Sequence, residues 1–266
     1  MLDKNQVRSQ AGTLATHLKA ILTEPAPQKV RYRRRGRVDR KLIGHLAAGV
    51  RDDVMQQRRT KPGQKPPRVL IAVDGSGSMR GSGPVVGTAM EVWMRALEAS
   101  KIPYATTFWV GGSNKGNPQN GTIQQYVELR VVKDWNESYP RQYEGKWGAI
   151  VDVMAQSSTP TQNALLAAVE YACEGVGSTE EIIIAFFTDG HPDWSDDKDM
   201  KWIADYIKEQ QGNGIHIIPI LYSAQGAGAS KFDDAWPNKL SVTAVTLMQN
   251  VGKVIGRHVK QVIKGR

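Results

Sequence analysis

Residues 69–78, VLIAVDGSGS, are the stretch that points most directly to a fold. The apolar run 69–73 has the length and composition of a buried strand in a parallel sheet. It leads into Asp74, which is followed by hydroxyls at Ser76 and Ser78 with a glycine before each. One carboxylate and two hydroxyls so close along the chain form a compact set of oxygen ligands for a hard divalent cation such as Mg²⁺ or Mn²⁺. The stretch therefore predicts a strand that ends in a cation-binding loop.

Strand and helix patterns alternate through the chain from residue 68 onward. Apolar or alternating runs predict strands near 68–74, 103–110, 123–132, 182–188, 215–222 and 242–246. Helical spacing predicts helices near 84–100, 161–174 and 197–211, and a last one ending near 263. Such alternation is typical of an α/β fold: a Rossmann-like, doubly wound, mostly parallel sheet flanked by helices.

The first 67 residues have a different character. Apolar residues at helical spacing predict an amphipathic helix over 4–23 and a second helix over 42–54. The segment 61–67, KPGQKPP, has the composition of a linker. We therefore expect a helical, basic N-terminal extension over residues 1–67 and one α/β domain over residues 68–266.

The positive charge of the chain is concentrated in this extension. The formal net charge is +9, and residues 28–61 contain twelve Lys and Arg against three Asp and Glu, so the rest of the chain is balanced. Such a patch could bind an acidic face on a partner protein or the phosphates of a nucleic acid, and it could also be a solvated linker that binds neither. Tyr32 is its only aromatic residue, which argues against stacking on single strands. The candidate partner-binding residues are Arg33, Arg34, Arg35 and Arg37.

Composition also narrows the class of protein. No apolar run approaches the roughly 18 residues of a membrane span, and residues 1–10 lack the apolar stretch of a signal peptide. Cys173 is the only cysteine, so no internal disulfide can form. We expect a cytoplasmic protein with no membrane partner. The sequence has no Gly-x-x-x-x-Gly-Lys-[Ser/Thr] motif, so we do not expect ATP hydrolysis by this chain.

Two further loops offer oxygen atoms. Asp189 follows the apolar strand predicted over 182–188, and the segment 157–161, SSTPT, precedes a predicted helix. In parallel sheets, ligands bind beyond the carboxyl ends of the strands, at the point where the strand order reverses. We therefore expect Asp74 and Asp189 to lie at the same edge of the sheet.

These three segments in this order resemble a von Willebrand factor A domain and its metal-ion-dependent adhesion site. The resemblance covers about residues 68–264. It implies that Ser76 and Ser78 bind the cation through their hydroxyls, and that Asp74 and Asp189 act directly or through water. Thr159 is implied as the third hydroxyl, with Thr161 as the alternative. In this family a carboxylate from a partner protein often completes the metal shell. Neutral hydroxyl ligands leave most of the cation's positive charge in place, so the cation binds an incoming Asp or Glu carboxylate strongly.

A narrower resemblance comes from the residues around the first loop. Residues 74–81, DGSGSMRG, with residues 36–39, GRVD, and the helix that follows are similar to the C-terminal part of a cobalt chelatase subunit. Such subunits carry a von Willebrand A domain and work with an AAA+ ATPase ring. The resemblance implies a metal-dependent interaction module that couples to an AAA+ ATPase and binds a client protein carboxylate, without catalytic activity of its own.

Three alternatives remain open. The chain could be the non-catalytic subunit of a cobalt or magnesium chelatase, or bind nucleic acid through residues 28–61. It could also be a metal-dependent phosphohydrolase, although Ser76 stands where such enzymes carry a second acid.

Overall fold

The computed structural model describes residues 3–19, 28–33, 37–38, 55–59, 67–111, 127–156, 160–174, 181–189, 197–223, 236–237 and 239–243. The helix predicted over 42–54 and the helix predicted to end near 263 lie outside these ranges. Thr159, Arg34 and Arg35 lie outside them as well.

Within the described residues, the helices are α1 (Lys4–Leu18), α2 (Gly83–Ser100), α3 (Trp147–Met154), α4 (Thr161–Cys173) and α5 (Asp197–Gly212). The strands are β1 (Gln28–Arg33), β2 (Arg37–Val38), β3 (Met55–Arg59), β4 (Arg68–Asp74), β5 (Tyr104–Gly111), β6 (Val127–Lys133), β7 (Ile182–Thr188), β8 (Ile215–Ser223) and β9 (Leu240–Thr243).

Six of these strands form one mixed sheet in the order β6-β5-β4-β7-β8-β9. Only β6, at one edge, runs antiparallel to its neighbour; the pairings among β5, β4, β7, β8 and β9 are parallel. The chain builds outward from β4 in one direction and then returns to β7 on the other side. This is the strand order of a doubly wound sheet, with its switch point between β4 and β7. The predicted α/β fold class is confirmed.

The central strands are apolar because both faces of the sheet are covered. Every residue of β7 is buried, and so is every residue of β4 after Arg68. Trp109 on β5 stacks on Phe186 of β7, with ring centroids 5.3 Å apart. At the edge, β6 alternates between half-buried and exposed positions over residues 127–130, which is typical of a strand packed on one face only.

The chain forms two compact units, one of residues 1–21 with 66–266 and the other of residues 22–65. Helix α1 therefore belongs to the unit that contains the six-stranded sheet. Its apolar stripe is buried at Leu14 and Leu18, and the Ser100 hydroxyl of α2 donates to the Ala15 carbonyl at 3.2 Å. Asp3 begins the helix as the N-terminal half of a capping box with Gln6. A functional division between residues 67 and 68 remains a prediction.

The second unit contains strands that the sequence did not predict. β1, β3 and β2 form a three-stranded antiparallel sheet with β3 in the middle. Arg33 of β1 pairs with Met55, and Arg37 of β2 pairs with Gln56. Two of the candidate partner-binding arginines therefore lie on strands that flank the same central strand.

None of the helices in the described part of the chain is both long and apolar enough to cross a membrane.

Candidate metal centre

The two predicted acidic loops meet at the switch point of the sheet. β4 and β7 are parallel neighbours in which Val73 pairs with Phe187, so Asp74 and Thr188 come level at the carboxyl ends of the two strands. The Thr188 hydroxyl donates to Asp74 Oδ2 at 2.7 Å. Asp189 follows immediately. The expectation that both acids lie at one edge of the sheet is confirmed by this register.

Asp74 is a buried carboxyl with an unusual pKa. Its side chain is fully buried, and the pKa is raised to about 7, first because burial penalises the charged form and second because of the nearby charge of Asp189. Hydrogen bonds from Thr188 and Ser76 act in the opposite direction and lower the pKa. A fully buried carboxyl that is repelled by a second carboxyl is favoured by a bound proton or by a nearby cation.

The two serines of the first loop converge. Ser76 is buried and its N–H donates to Asp74 Oδ1 at 2.7 Å, which bends the chain directly after the strand. A single 3-10 turn over Gly77–Met79 follows and brings Ser76 Oγ within 2.9 Å of Ser78 Oγ. Ser78 is exposed. A buried and an exposed hydroxyl thus face one another beside the Asp74 carboxyl, and oxygen ligands of this kind suit Mg²⁺ or Mn²⁺.

Gly75 lies in a space that admits no side chain. Its N–H donates to the Trp109 carbonyl of β5 at 2.8 Å, and its carbonyl accepts from the Gln156 N–H at 3.1 Å. A Cβ at this position would meet Val110 Cγ1, and would lie 3.0 Å from the Trp109 oxygen and 3.2 Å from the Met154 oxygen. The first glycine of the loop is therefore required by close backbone packing rather than by its dihedral angles.

We expect Gly75→Ala to destabilise the protein by about 1–3 kcal/mol, because the new methyl overpacks a site bounded by two backbone carbonyls. Urea unfolding followed by circular dichroism measures the change. Gly12→Ala is the control, since no atom lies within 4 Å of a Cβ there. That exposed helical position is expected to gain about 0.5–1 kcal/mol. Equal stability of Gly75→Ala and the unmodified chain would contradict the close packing.

Of the remaining predicted ligands, Asp189 and Thr161 lie in the described part of the chain and Thr159 does not. Asp189 is half-buried and influences Asp74 by its charge. Thr161 is buried as the first residue of α4. The role of Thr159 stays a prediction. Within the described ranges, no group of three or more His, Cys, Asp or Glu side chains could hold a metal ion. A cation at this edge would therefore depend on the serine hydroxyls as well as on Asp74 and Asp189.

Sequence reasoning missed two polar residues at this edge. Thr188 was placed at the end of the predicted strand, in the loop with Asp189, but was given no role, although its position level with Asp74 follows once β4 and β7 are paired. Asp152 of α3 was not noticed, and its Oδ1 accepts the N–H groups of Gly81 at 2.9 Å and Gly83 at 3.1 Å. No local motif signals Asp152, because its partners lie about 70 residues earlier in the chain.

The contacts of Asp152 also bear on the alternative chemistry. A glycine-rich loop between a strand and a helix often binds phosphate through the free N–H groups at the helix N-terminus. Here two of these N–H groups, those of Gly81 and Gly83, already donate to a carboxylate. A phosphate would have to displace this carboxylate, so the loop is poorly suited to phosphate binding.

Comparison with known proteins gives only distant structural likeness. No protein-family model and no curated protein matches the chain. Proximal thread matrix protein 1 (PTMP1) from the mussel byssus is similar at 13% identity and a TM-score of 0.48, over 71% of this chain and 46% of that one. A second crystal form of PTMP1 has 13% identity and a TM-score of 0.46, over 71% and 47%. The SpRpn10 VWA domain has 13% identity and a TM-score of 0.45, over 71% and 93%. The chain thus spans less than half the length of the two mussel structures, and its function has to be argued from the site.

Proposed function

We propose that this chain is a protein-interaction module of the von Willebrand A kind, which binds a carboxylate of a partner protein through a divalent cation. The observation that carries the proposal is the buried Asp74 carboxyl, with a pKa raised to about 7, beside Asp189 and two serine hydroxyls 2.9 Å apart. A buried acid beside a second acid is costly for the folded protein unless a positive charge offsets it.

The residues present fit such an ion. Ser76 and Ser78 would hold it through their hydroxyls, with Asp74 and Asp189 directly or through water, and Thr159 is proposed as a further hydroxyl. When bound, the cation supplies a positive centre for a partner's Asp or Glu. Thr188 and the Ser76 N–H hold the Asp74 carboxyl in place through the two hydrogen bonds at 2.7 Å. Ser78 is the exposed member of the set, so we place the partner on its side.

The identity of the partners rests on the sequence resemblance alone. We propose an AAA+ ATPase ring as one partner and a client protein with an exposed Asp or Glu as the other. The basic arginines, with Arg33 and Arg37 on β1 and β2, are proposed to contact an acidic face of a partner. A chelatase subunit would use the same cation site and the same kind of ring.

The cation site is tested by removing its hydroxyls. Mutation of outer partners of metal ligands already costs about 10–100-fold in affinity, so we expect Ser76→Ala and Ser78→Ala each to weaken Mg²⁺ and Mn²⁺ binding at least about tenfold. Isothermal titration calorimetry at pH 8 measures the binding. Ser100→Ala is the matched control, because that buried serine donates to Ala15 at the far end of α2. Unchanged affinity in both loop variants would overturn the proposed site.

Partner binding is tested separately. The full chain, immobilised with Mg²⁺, is expected to retain a partner that EDTA releases and that Asp74→Ala does not retain. Retention that is indifferent both to EDTA and to Asp74→Ala would overturn the carboxylate mechanism even if the chain binds Mg²⁺. Retention that instead falls steeply with salt and requires nucleic acid would favour the basic segment as the functional surface.

A further inference from the structure

The loop of residues 75–82, which carries Ser76 and Ser78, is attached at both of its ends to α3 or to the residues just after that helix. Near the start of the loop, the Gln156 N–H donates to the Gly75 carbonyl at 3.1 Å, directly after α3 ends. At the other end, Asp152 Oδ1 accepts from Gly81 and Gly83 at 2.9 and 3.1 Å. Ser76 and Ser78 lie between these two points of attachment. The loop backbone is thus held at one end by Asp152 of α3 and at the other by Gln156, which follows soon after that helix.

The spacing between α3 and α2 is set by glycines. A Cβ on Gly87 would meet Gly148 N and would lie 2.5 Å from the Trp147 carbonyl carbon. A Cβ on Gly83 would meet Gly148 O and would lie 2.6 Å from Asp152 Oδ1. The two helix backbones therefore approach without side chains between them. In such close packing, Asp152 has little freedom to move away from the start of α2.

The electrostatics of Asp152 favour this position. Its carboxylate accepts N–H groups at the N-terminal end of α2, where the helix dipole stabilises a negative charge. No side-chain cap bond forms at Ser82, the residue before the helix, whose hydroxyl donates instead to the Met79 carbonyl. Asp152 therefore supplies from a distant part of the sequence the capping interaction that α2 would otherwise take from its own N-cap.

We propose that Asp152 is a positioning residue for the cation site: it holds residues 81–83 in place so that the Ser76 and Ser78 hydroxyls stay converged. This inference rests on the proposed function. Asp152 acts through the loop backbone and does not touch the cation. Without it, residues 81–83 lose both hydrogen bonds to α3, so the two hydroxyls are less well ordered before the cation binds. The cost then appears as weaker affinity, in the range of about 10–100-fold that removal of a supporting residue causes in metal sites.

Two substitutions separate positioning from charge. Asp152→Ala removes both hydrogen bonds and is expected to weaken Mn²⁺ binding about 10–100-fold. Asp152→Asn keeps a carbonyl oxygen at Oδ1 that accepts both N–H groups, so its Mn²⁺ affinity is expected within about threefold of the unmodified chain. Calorimetric titration of the full chain with Mn²⁺ alone, backed by the electron paramagnetic resonance signal of free Mn²⁺, measures both variants. Val7→Ala, a buried change on α1, controls for general loss of stability and is expected to bind Mn²⁺ normally.

The outcomes distinguish the two proposals. If the unmodified chain takes up no Mn²⁺, the proposed function fails, and this inference fails with it. If the unmodified chain and Asp152→Ala bind Mn²⁺ equally, only the positioning role is overturned. If Asp152→Asn loses as much affinity as Asp152→Ala, the residue acts through its charge, which also overturns the inference. Circular dichroism of Asp152→Ala verifies that a loss of affinity comes from a folded protein.

Discussion

Asp74→Asn is expected to stabilise the metal-free protein at pH 8 and to abolish its response to Mg²⁺. Asn is close in shape to Asp, its Oδ1 can accept from the Ser76 N–H, and its amide can donate to the Thr188 hydroxyl. The exchange removes a buried charge that the metal-free site does not compensate. The same substitution removes a carboxylate that we propose as part of the cation site.

The stabilisation expected from Asp74→Asn depends on pH. The pKa of Asp74 is raised from 3.8 to about 7 in the folded protein, so between these values the folded state binds more proton than the unfolded state. The contribution of Asp74 to the stability of the metal-free protein therefore falls as pH rises from about 4 to about 7 and is level above that. Between pH 4 and pH 8, this change in the free energy of unfolding amounts to at most about 4 kcal/mol. Asn carries no such penalty, so its advantage is near zero at pH 4 and largest above pH 7.

Differential scanning fluorimetry with EDTA and with Mg²⁺, at pH 4.5 and pH 8, measures both effects. At pH 8 with EDTA we expect Asp74→Asn to melt about 5–10 °C above the unmodified chain, and at pH 4.5 we expect about a quarter of that difference. Saturating Mg²⁺ is expected to raise the melting temperature of the unmodified chain only. A Mg²⁺ concentration of 100 times the Kd stabilises the folded protein by about 2.7 kcal/mol. An Asn variant less stable than the unmodified chain at pH 8 with EDTA would contradict the cost of the buried charge.

Glu91→Ala is expected to destabilise the protein by about 3 kcal/mol, the lower end of the cost of breaking a buried ion pair. The Glu91 carboxylate is buried on α2 and accepts three hydrogen bonds, from Arg95 Nε at 2.9 Å, Gly145 N–H at 3.2 Å and Tyr139 OH at 3.3 Å. Its removal leaves these donors without that acceptor in an environment with little water. Arg95 keeps Glu144 at 2.7 Å, which is why the loss is not larger.

Guanidinium chloride unfolding of Glu91→Ala and Glu91→Gln measures the role of this network. Gln retains an acceptor oxygen and loses the charge, so we expect it to cost about 1–2 kcal/mol. Glu128→Ala is the control, because its partner Arg130 is 3.2 Å away in an exposed pair. Solvent screens such an exposed pair, so its loss is expected to change stability little. Equal stability of the Glu91 and Glu128 variants would show that burial adds nothing to the Glu91 interactions.

Much of the main sheet could be predicted because its signals are local. β4 and β7 are continuous apolar runs of strand length, and β6 alternates, so each could be recognised without knowledge of its neighbours. Helix α3 was missed for the opposite reason. It is short, and neither of its ends carries a side-chain cap. Glycine contacts with α2 hold it in place, and these cannot be predicted from local pattern.

The N-terminal region shows the same limit. Helix α1 was predicted from its apolar stripe, but its place with the six-stranded sheet depends on its packing against α2, which is distant in sequence. The basic segment was identified by charge alone. Charge does not specify backbone conformation, and so the strands β1, β2 and β3 were not predicted.

The sequence by itself determined the α/β class and the two acids that follow apolar strands, because strand length, hydrophobicity and loop composition are properties of short segments. Only the tertiary structure decided that Asp74 is fully buried, that Thr188 comes level with it, and that Asp152 holds the far end of the loop. These facts depend on the pairing of β4 with β7 and on the close approach of α3 to α2. Burial and long-range hydrogen bonds arise from residues distant in sequence, and a raised pKa is the physical consequence of that burial.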